Sequence, residues 1–88
     1  MNILIRASRD RTLHKMREIM GEGYCWWTVN GTPRKAGIGD TIMFSDGERV
    51  YAEAKIIEVD EGKIVFHPLE KVDKPNPKKP PTRGFTYV

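Results

Sequence analysis

Between residues 41 and 67 the sequence is cut twice by turn signals, at Ser45-Asp46-Gly47-Glu48 and at Asp60-Glu61-Gly62. The three segments they leave, 41–44, 49–59 and 63–67, are rich in β-branched, aromatic and alternating apolar residues. Alternation between glycine-bearing polar turns is the pattern of antiparallel strands joined by hairpins. A three-stranded meander is therefore expected, and it limits what the rest of the chain can become. In the long middle segment the apolar set runs through Val50, Ala52, Ala54 and Ile56, then moves to Ile57 and Val59. Successive side chains of a strand point to opposite faces, so this change of parity requires a bulge or a strand that turns a corner. Strong curvature of that kind favours a small barrel over a flat sheet.

The flanking segments add to this sheet. Residues 2–6 read as a short strand, with Ile3 and Ile5 on one face. Ser8 or Asp10 can cap a following helix in which Leu13, Met16, Ile19 and Met20 form an apolar stripe, with Gly21 or Gly23 as its stop. Residues 24–29 are aromatic and β-branched and end at Asn30-Gly31, which predicts another strand and then a polar loop through Gly39. Residues 71–82 carry four prolines and four lysines. Such a segment makes a poor central strand and is expected to be an extended, stiff basic strap that covers a sheet edge. Residues 83–88 close the chain as a last strand, with Phe85 and Tyr87 on one face. The expected fold is mainly β (α+β): a small antiparallel pseudobarrel of five or six strands with one packed amphipathic helix, a single domain over residues 1–88 with the 71–82 strap inside it.

Composition excludes several classes. Eighty-eight residues leave room for one domain with a modest core. The longest apolar runs, 3–5 and 64–66, fall far short of the roughly 20 residues of a membrane span, and no apolar leader follows Met1. A cytoplasmic protein without a membrane partner is expected. Cys25 is the sole cysteine, so neither an internal disulfide nor a cysteine zinc site can form. It is expected to be a buried packing residue. His14 and His67 have no carboxylate or cysteine at ligand spacing, so neither a metal nor another cofactor is expected. No local motif supports catalysis.

Charge is unevenly distributed. The first twenty residues balance at +3, residues 21–70 at −4 and the last eighteen at +4. If the two ends lie side by side they form one basic surface. Its candidate phosphate contacts are Arg6, Arg9, Arg11, Arg34, Lys35, Lys78, Lys79 and Arg83, since polyanion binding needs several cations on one face. Trp26 and Trp27 are neighbours and must point to opposite faces of a strand. One of them is expected to be partly exposed, available to stack on a base. Arg83, Phe85 and Tyr87 echo the stacking element of RNA-recognition-motif domains, but a chain with one helix does not make that fold.

Gly39 and Asp40 before the strand Thr41, Ile42, Met43 and Phe44, the hairpin at Asp46 and Gly47, the strand ending in Ala54, Lys55 and Ile56, and the preceding tryptophan-bearing strand together resemble the pseudobarrels of the PUA-like superfamily, which includes ASCH and EVE domains. The resemblance covers roughly residues 24–70. It implies binding of RNA or of modified nucleobases, and the expected function is thus a nucleic-acid (RNA foremost) or modified-nucleotide binding module. Some ASCH proteins look like small amidohydrolases acting on acylated nucleosides, with a lysine, a threonine and a glutamate in the pocket. Here Gly31-Thr32-Pro33-Arg34-Lys35 does not reproduce their signature, and Ile38 stands where the threonine is wanted, so no catalytic residue carries across. Were the chain such a hydrolase, Lys35 in its glycine-bearing loop would be the candidate amine. A third alternative is an accessory factor whose proline strap docks on a protein partner.

Overall fold

The structure, a computed structural model, describes residues 1–19, 23–29, 31–82 and 84–88, and for residues 15–19 the backbone alone. The elements are β1 (Ile3–Arg6), α1 (Arg9–Ile19), β2 (Cys25–Thr28), β3 (Thr41–Ser45), β4 (Arg49–Asp60), β5 (Lys63–Phe66), β6 (Glu70–Pro75) and β7 (Phe85–Tyr87). The protein is mainly β. Its seven strands form a sheet in the order β2-β5-β4-β3-β1-β7, with β6 also paired to β4.

β4, twelve residues long, organises the sheet. β3 runs antiparallel along one edge, from Thr41 opposite Lys55 to Ser45 opposite Val50. Along the other edge lie β5 and then β6, with Ile56 opposite Phe66, Glu53 opposite Glu70 and Arg49 opposite Pro75. Beyond β3 comes β1 in parallel, and beyond β1 comes β7, antiparallel.

These registers sort side chains by face. Tyr87, Ile3, Ile42 and Ala54 follow one another across the sheet, as do Phe85, Ile5, Phe44 and Ala52. All belong to or pack on a single core, with Ile56, Ile64, Phe66 and Cys25. Between Ile56 and Glu58 β4 advances two residues while β5 advances one, from Phe66 to Val65. Ile57 is the extra residue, at the place where the apolar parity changes. A bulge bends and twists the strand that carries it, and Trp27 from β2 accordingly reaches Phe44 on β3, ring centroids 5.1 Å apart.

The sheet departs from the expected one in strand count and in the parallel β1–β3 pair. The seventh strand comes from the strap. Its first residues, 71–74, contain no proline and, with Glu70, pair with β4; the prolines begin at Pro75, the last residue of β6, where an edge strand tolerates them. The connection from β6 to β7 is pinned at its start. Ser45 is buried, and its Oγ donates to Asn76 Oδ1 at 2.7 Å. Asn76 Nδ2 donates to the Gly47 carbonyl at 3.3 Å. Gly47 itself has φ +104°, and a Cβ there would meet the Arg6 guanidinium at 3.1 Å.

In α1 the first intrahelical bond runs from the Thr12 N–H to the Ser8 carbonyl at 3.0 Å, so Ser8 is the cap. Of the expected apolar stripe only Leu13, half-buried, has a described side chain; Met16 and Ile19 are described in backbone alone, and Met20 and Gly21 lie outside the described residues. Tyr51 Oη donates to the Ala7 carbonyl at 2.9 Å, fixing the approach to the helix. The Val88 N–H donates to the Asn2 carbonyl at 3.0 Å, and pairing of β1 with β7 brings the two basic ends of the chain together.

Candidate functional site

The face of the sheet turned away from the core presents Asn2 from β1's approach, Thr41 and Met43 from β3, and Glu53 and Lys55 from β4. With His67, Pro68, Glu70 and Lys74 they line an open cleft of about 540 Å³. Its polar groups are ordered by one another. Asn2 Oδ1 accepts from the Thr41 N–H at 2.9 Å, and Lys55 Nζ donates to Thr41 Oγ1 at 3.0 Å. Lys74 Nζ donates to Glu53 Oε1 at 2.7 Å. Two ammonium groups and two carboxylates make the cleft nearly neutral, while Met43 and Pro68 supply apolar wall. Such a lining suits a planar, hydrogen-bonding ligand.

An aromatic pair lies on the outward side of β2. Trp26 is half-buried and faces outward opposite Val65, and Tyr24, two residues earlier on the same side, is 41% exposed. Their ring centroids lie 6.4 Å apart at 47°. Lys63 Nζ stands 5.9 Å from the centre of the Trp26 indole. The β2–β5 register ends with Cys25 opposite Phe66, and His67, the next residue after β5, lines the cleft. Glu58 and Asp60 pair with Val65 and Lys63, so this face is mixed in charge rather than uniformly basic.

The structure separates the two tryptophans as strand geometry requires. Trp27 turns inward and meets Phe44 edge to face at 71°, leaving Trp26 as the outward ring. Seven of the eight candidate cations are described, and they are spread over β1, α1, the loop after β2 and the β6–β7 connection. Arg6 lies at the end of β1 against Gly47. Arg9 stands 3.7 Å from Asp46 and 5.4 Å from the centre of the Tyr51 ring. Arg11 projects from α1 beside a second cleft that also holds Trp27. Arg34 and Lys35 are exposed on the loop after β2. The Lys35 N–H donates to Tyr87 Oη at 3.3 Å, its carbonyl accepts from the Met1 amino group at 2.7 Å, and its Nζ lies 5.7 Å from the centre of the Tyr87 ring. Lys35 is not among the residues that line the cleft. Lys78 and Lys79 are exposed on the β6–β7 connection, and Arg83 lies outside the described residues. Phe85 and Tyr87 are half-buried and pack on the core with ring centroids 5.5 Å apart.

Cys25 is buried opposite Phe66, and burial pushes its thiol pKa up against the opposing effect of a hydrogen bond with the Leu69 backbone. Among the described residues no three His, Cys, Asp or Glu side chains gather as a metal site requires, and no helix is long and apolar enough to cross a membrane. Sequence reasoning missed Tyr24, Thr41, Lys55, Lys63 and Lys74. For Tyr24 the signal was present, because an outward Trp26 carries residue 24 to the same face. The lysines were hidden by summing charge along the chain, which merges both faces of each strand. Comparison with protein-family models, curated proteins and solved structures finds no match.

Proposed function

We propose that this chain is a nucleic-acid binding module, with single-stranded RNA or a modified nucleotide as its ligand. One observation carries the reading: an exposed tyrosine and a half-buried tryptophan, flanked by Lys63, sit on the same face as a cleft furnished with Asn2, Thr41, Lys55 and Lys74. Aromatic faces accept any base by stacking, and a nearly neutral, polar cleft offers donors and acceptors to a base edge. Lys55, Lys63 and Lys74 are the phosphate contacts nearest to it. The meander and the bulged corner of β4 support a small curved barrel of the PUA-like kind, whose members bind RNA or modified bases. Fluorescence titration with single-stranded RNA, double-stranded RNA and single-stranded DNA at two salt concentrations tests the proposal. Trp26→Ala is expected to abolish quenching while Trp27 still reports a folded core; equal, weak and salt-insensitive binding to all three would sink it.

A second reading, a small amidohydrolase acting on a modified nucleoside, is favoured by the same cleft. A lysine, a threonine and a glutamate meet there, with Lys55 Nζ on Thr41 Oγ1 at 3.0 Å and Glu53 beside them. These are the residue types that the ASCH resemblance implies, at positions other than Lys35. Release of product from acylated cytidines, lost on Lys55→Ala and kept on Lys35→Ala, would establish it, and absence of turnover across such a panel would end it.

A further inference from the structure

The side chains of the outward cleft fall into rows fixed by strand register. In one, Met43, Glu53 and Glu70 stand opposite one another across β3, β4 and β6. In the next, Thr41 faces Lys55, and the His67 N–H donates to the Lys55 carbonyl at 3.0 Å. Residues two apart on one face of a strand are separated by about 7 Å, so carboxylates line one side of the cleft and an ammonium the other. The carboxylates are unequally paired. Glu53 takes the Lys74 ammonium at 2.7 Å, whereas the Glu70 carboxylate has no ion pair or side-chain hydrogen bond among the described residues, although it stands directly opposite Glu53. Like charges directly opposite on paired strands repel, and a ligand that brings hydrogen-bond donors to Glu70 relieves this. An ionised carboxylate only accepts, and its oxygens suit two parallel donors. Across the cleft the Lys55 ammonium uses one proton on Thr41 Oγ1 and has others to donate. The cleft thus offers a ligand a pair of acceptors on one side and a donor on the other.

We propose that this cleft selects guanine among the RNA bases, an inference that rests on the nucleic-acid reading above. Guanine alone of the four presents two adjacent donors, N1–H and the N2 amino group, beside an acceptor, O6, on its Watson–Crick edge. Glu70 accepts from the two donors and Lys55 donates to O6, while Met43 and Pro68 wall the base. Adenine and cytosine present an amino donor beside an acceptor, and uracil a single N–H between two acceptors, so each would leave Glu70 facing a lone pair. Discrimination comes from that mismatch as much as from the bonds guanine makes.

The test uses the full chain and five end-labelled RNA heptamers, each a run of uridines whose central base is uracil, guanine, hypoxanthine, adenine or cytosine, with affinity read by fluorescence anisotropy. The guanine heptamer is expected to bind at least about tenfold more tightly than those with uracil, adenine or cytosine. Hypoxanthine, which keeps N1–H and O6 but lacks the amino group, should lose most of that margin, as loss of a hydrogen bond to a charged group does. Glu70→Gln should bring the guanine heptamer down to the level of the others and leave the adenine heptamer unchanged. Glu70 is exposed, and circular dichroism of the variant is expected to match the parent. Equal affinity for all five heptamers would overturn guanine selection and leave the nucleic-acid reading in place, whereas absence of binding to any of them would end both. A guanine preference that survives Glu70→Gln, or a tighter fit for another base, would also overturn the proposal.

Discussion

Trp27 and Phe44 meet with ring centroids 5.1 Å apart at 71°, although β5 and β4 lie between their strands in the sheet order. Strands three places apart in a flat sheet are separated by about 14 Å, so the contact is a direct measure of how far the sheet curls. Phe44 also touches Phe66, at 5.7 Å between centroids, and is the hub of the aromatic core. Edge-to-face pairs add to burial about 0.5–1.5 kcal/mol. Trp27→Ala is therefore expected to lower unfolding free energy by about 3 kcal/mol, and Trp27→Phe by less than half of that, in urea denaturation followed by circular dichroism.

The curl depends on Ile57. Deleting it leaves Ile56, Glu58 and Val59 with alternating faces, so the inside-outside pattern survives while the corner is lost. A straightened β4 would carry Trp27 away from Phe44. The deletion is expected to destabilise by more than about 2 kcal/mol and to red-shift tryptophan emission in the residual folded fraction. Ile57→Thr, which keeps the bulge at a half-buried position, should cost under about 1 kcal/mol. Equal stability of the deletion variant and the parent would show that the bulge is not what bends the sheet.

The bulge was readable from the order of Ile56, Ile57 and Val59 because strand parity is a local rule that tertiary context rarely reverses. The meander, α1 and the terminal strands were readable for the same reason. β6 was hidden because residues 71–82 were weighed as one proline-rich block, whereas a strand needs only a proline-free stretch long enough to pair. Tyr51 is buried between Val50 and Ala52, where alternation places it outside. A register shift on both edges of β4 at these residues turns it in, and nothing in the local pattern marks it. At the candidate site one of two tryptophans was known to face out. Pairing of Lys55 with Thr41, and of Lys74 with Glu53, joins residues 14 and 21 apart, and such juxtapositions follow from register alone.

Ser45 is the buried polar residue on which the β6–β7 connection turns. Its Oγ donates to Asn76 and accepts from the Gly47 N–H at 3.1 Å. Asn76→Ala strands the Ser45 hydroxyl and is expected to cost about 1–3 kcal/mol. Replacing both by alanine should cost less than the sum of the two single changes, since neither side chain of the Ser45–Asn76 bond is then left without the other. A double-mutant cycle in urea checks this, and additive costs would mean that the two side chains are not coupled.

Asp46 gives the fold an acid-sensitive turn. Its Oδ1 accepts from the Arg49 N–H at 3.0 Å and the Glu48 N–H at 2.9 Å, and Arg9 lies nearby. These bonds, that from Arg49 first, hold its pKa below the ordinary carboxylate value. A depressed folded pKa contributes stability that is complete above the unfolded value, about 3.9, and is lost as pH falls through the folded value. Asp46→Asn should flatten the decline of stability in that acid window. Carbon-13 titration of the Asp46 carboxyl is expected to show a midpoint under that of an unstructured aspartate.

Single-stranded RNA laid across the outer face would meet three cations, Lys55, Lys63 and Lys74, among the carboxylates of Glu53, Glu58, Asp60 and Glu70. Three phosphate contacts on a single strand give a slope of about −2 in log affinity against log salt. Lys63→Ala should reduce that slope by roughly one phosphate contact's share and also unsettle Trp26, over which its ammonium stands. Tyr24→Ala, by contrast, should weaken binding by about 1–3 kcal/mol and leave the slope unchanged, because stacking releases no counterions. Titrations at four salt concentrations separate the two effects. A slope near −5 or steeper would instead draw in cations beyond this face, Arg6, Arg9, Arg11, Lys78 and Lys79 first, and would move the interface to the side of the molecule where the chain's two basic ends meet.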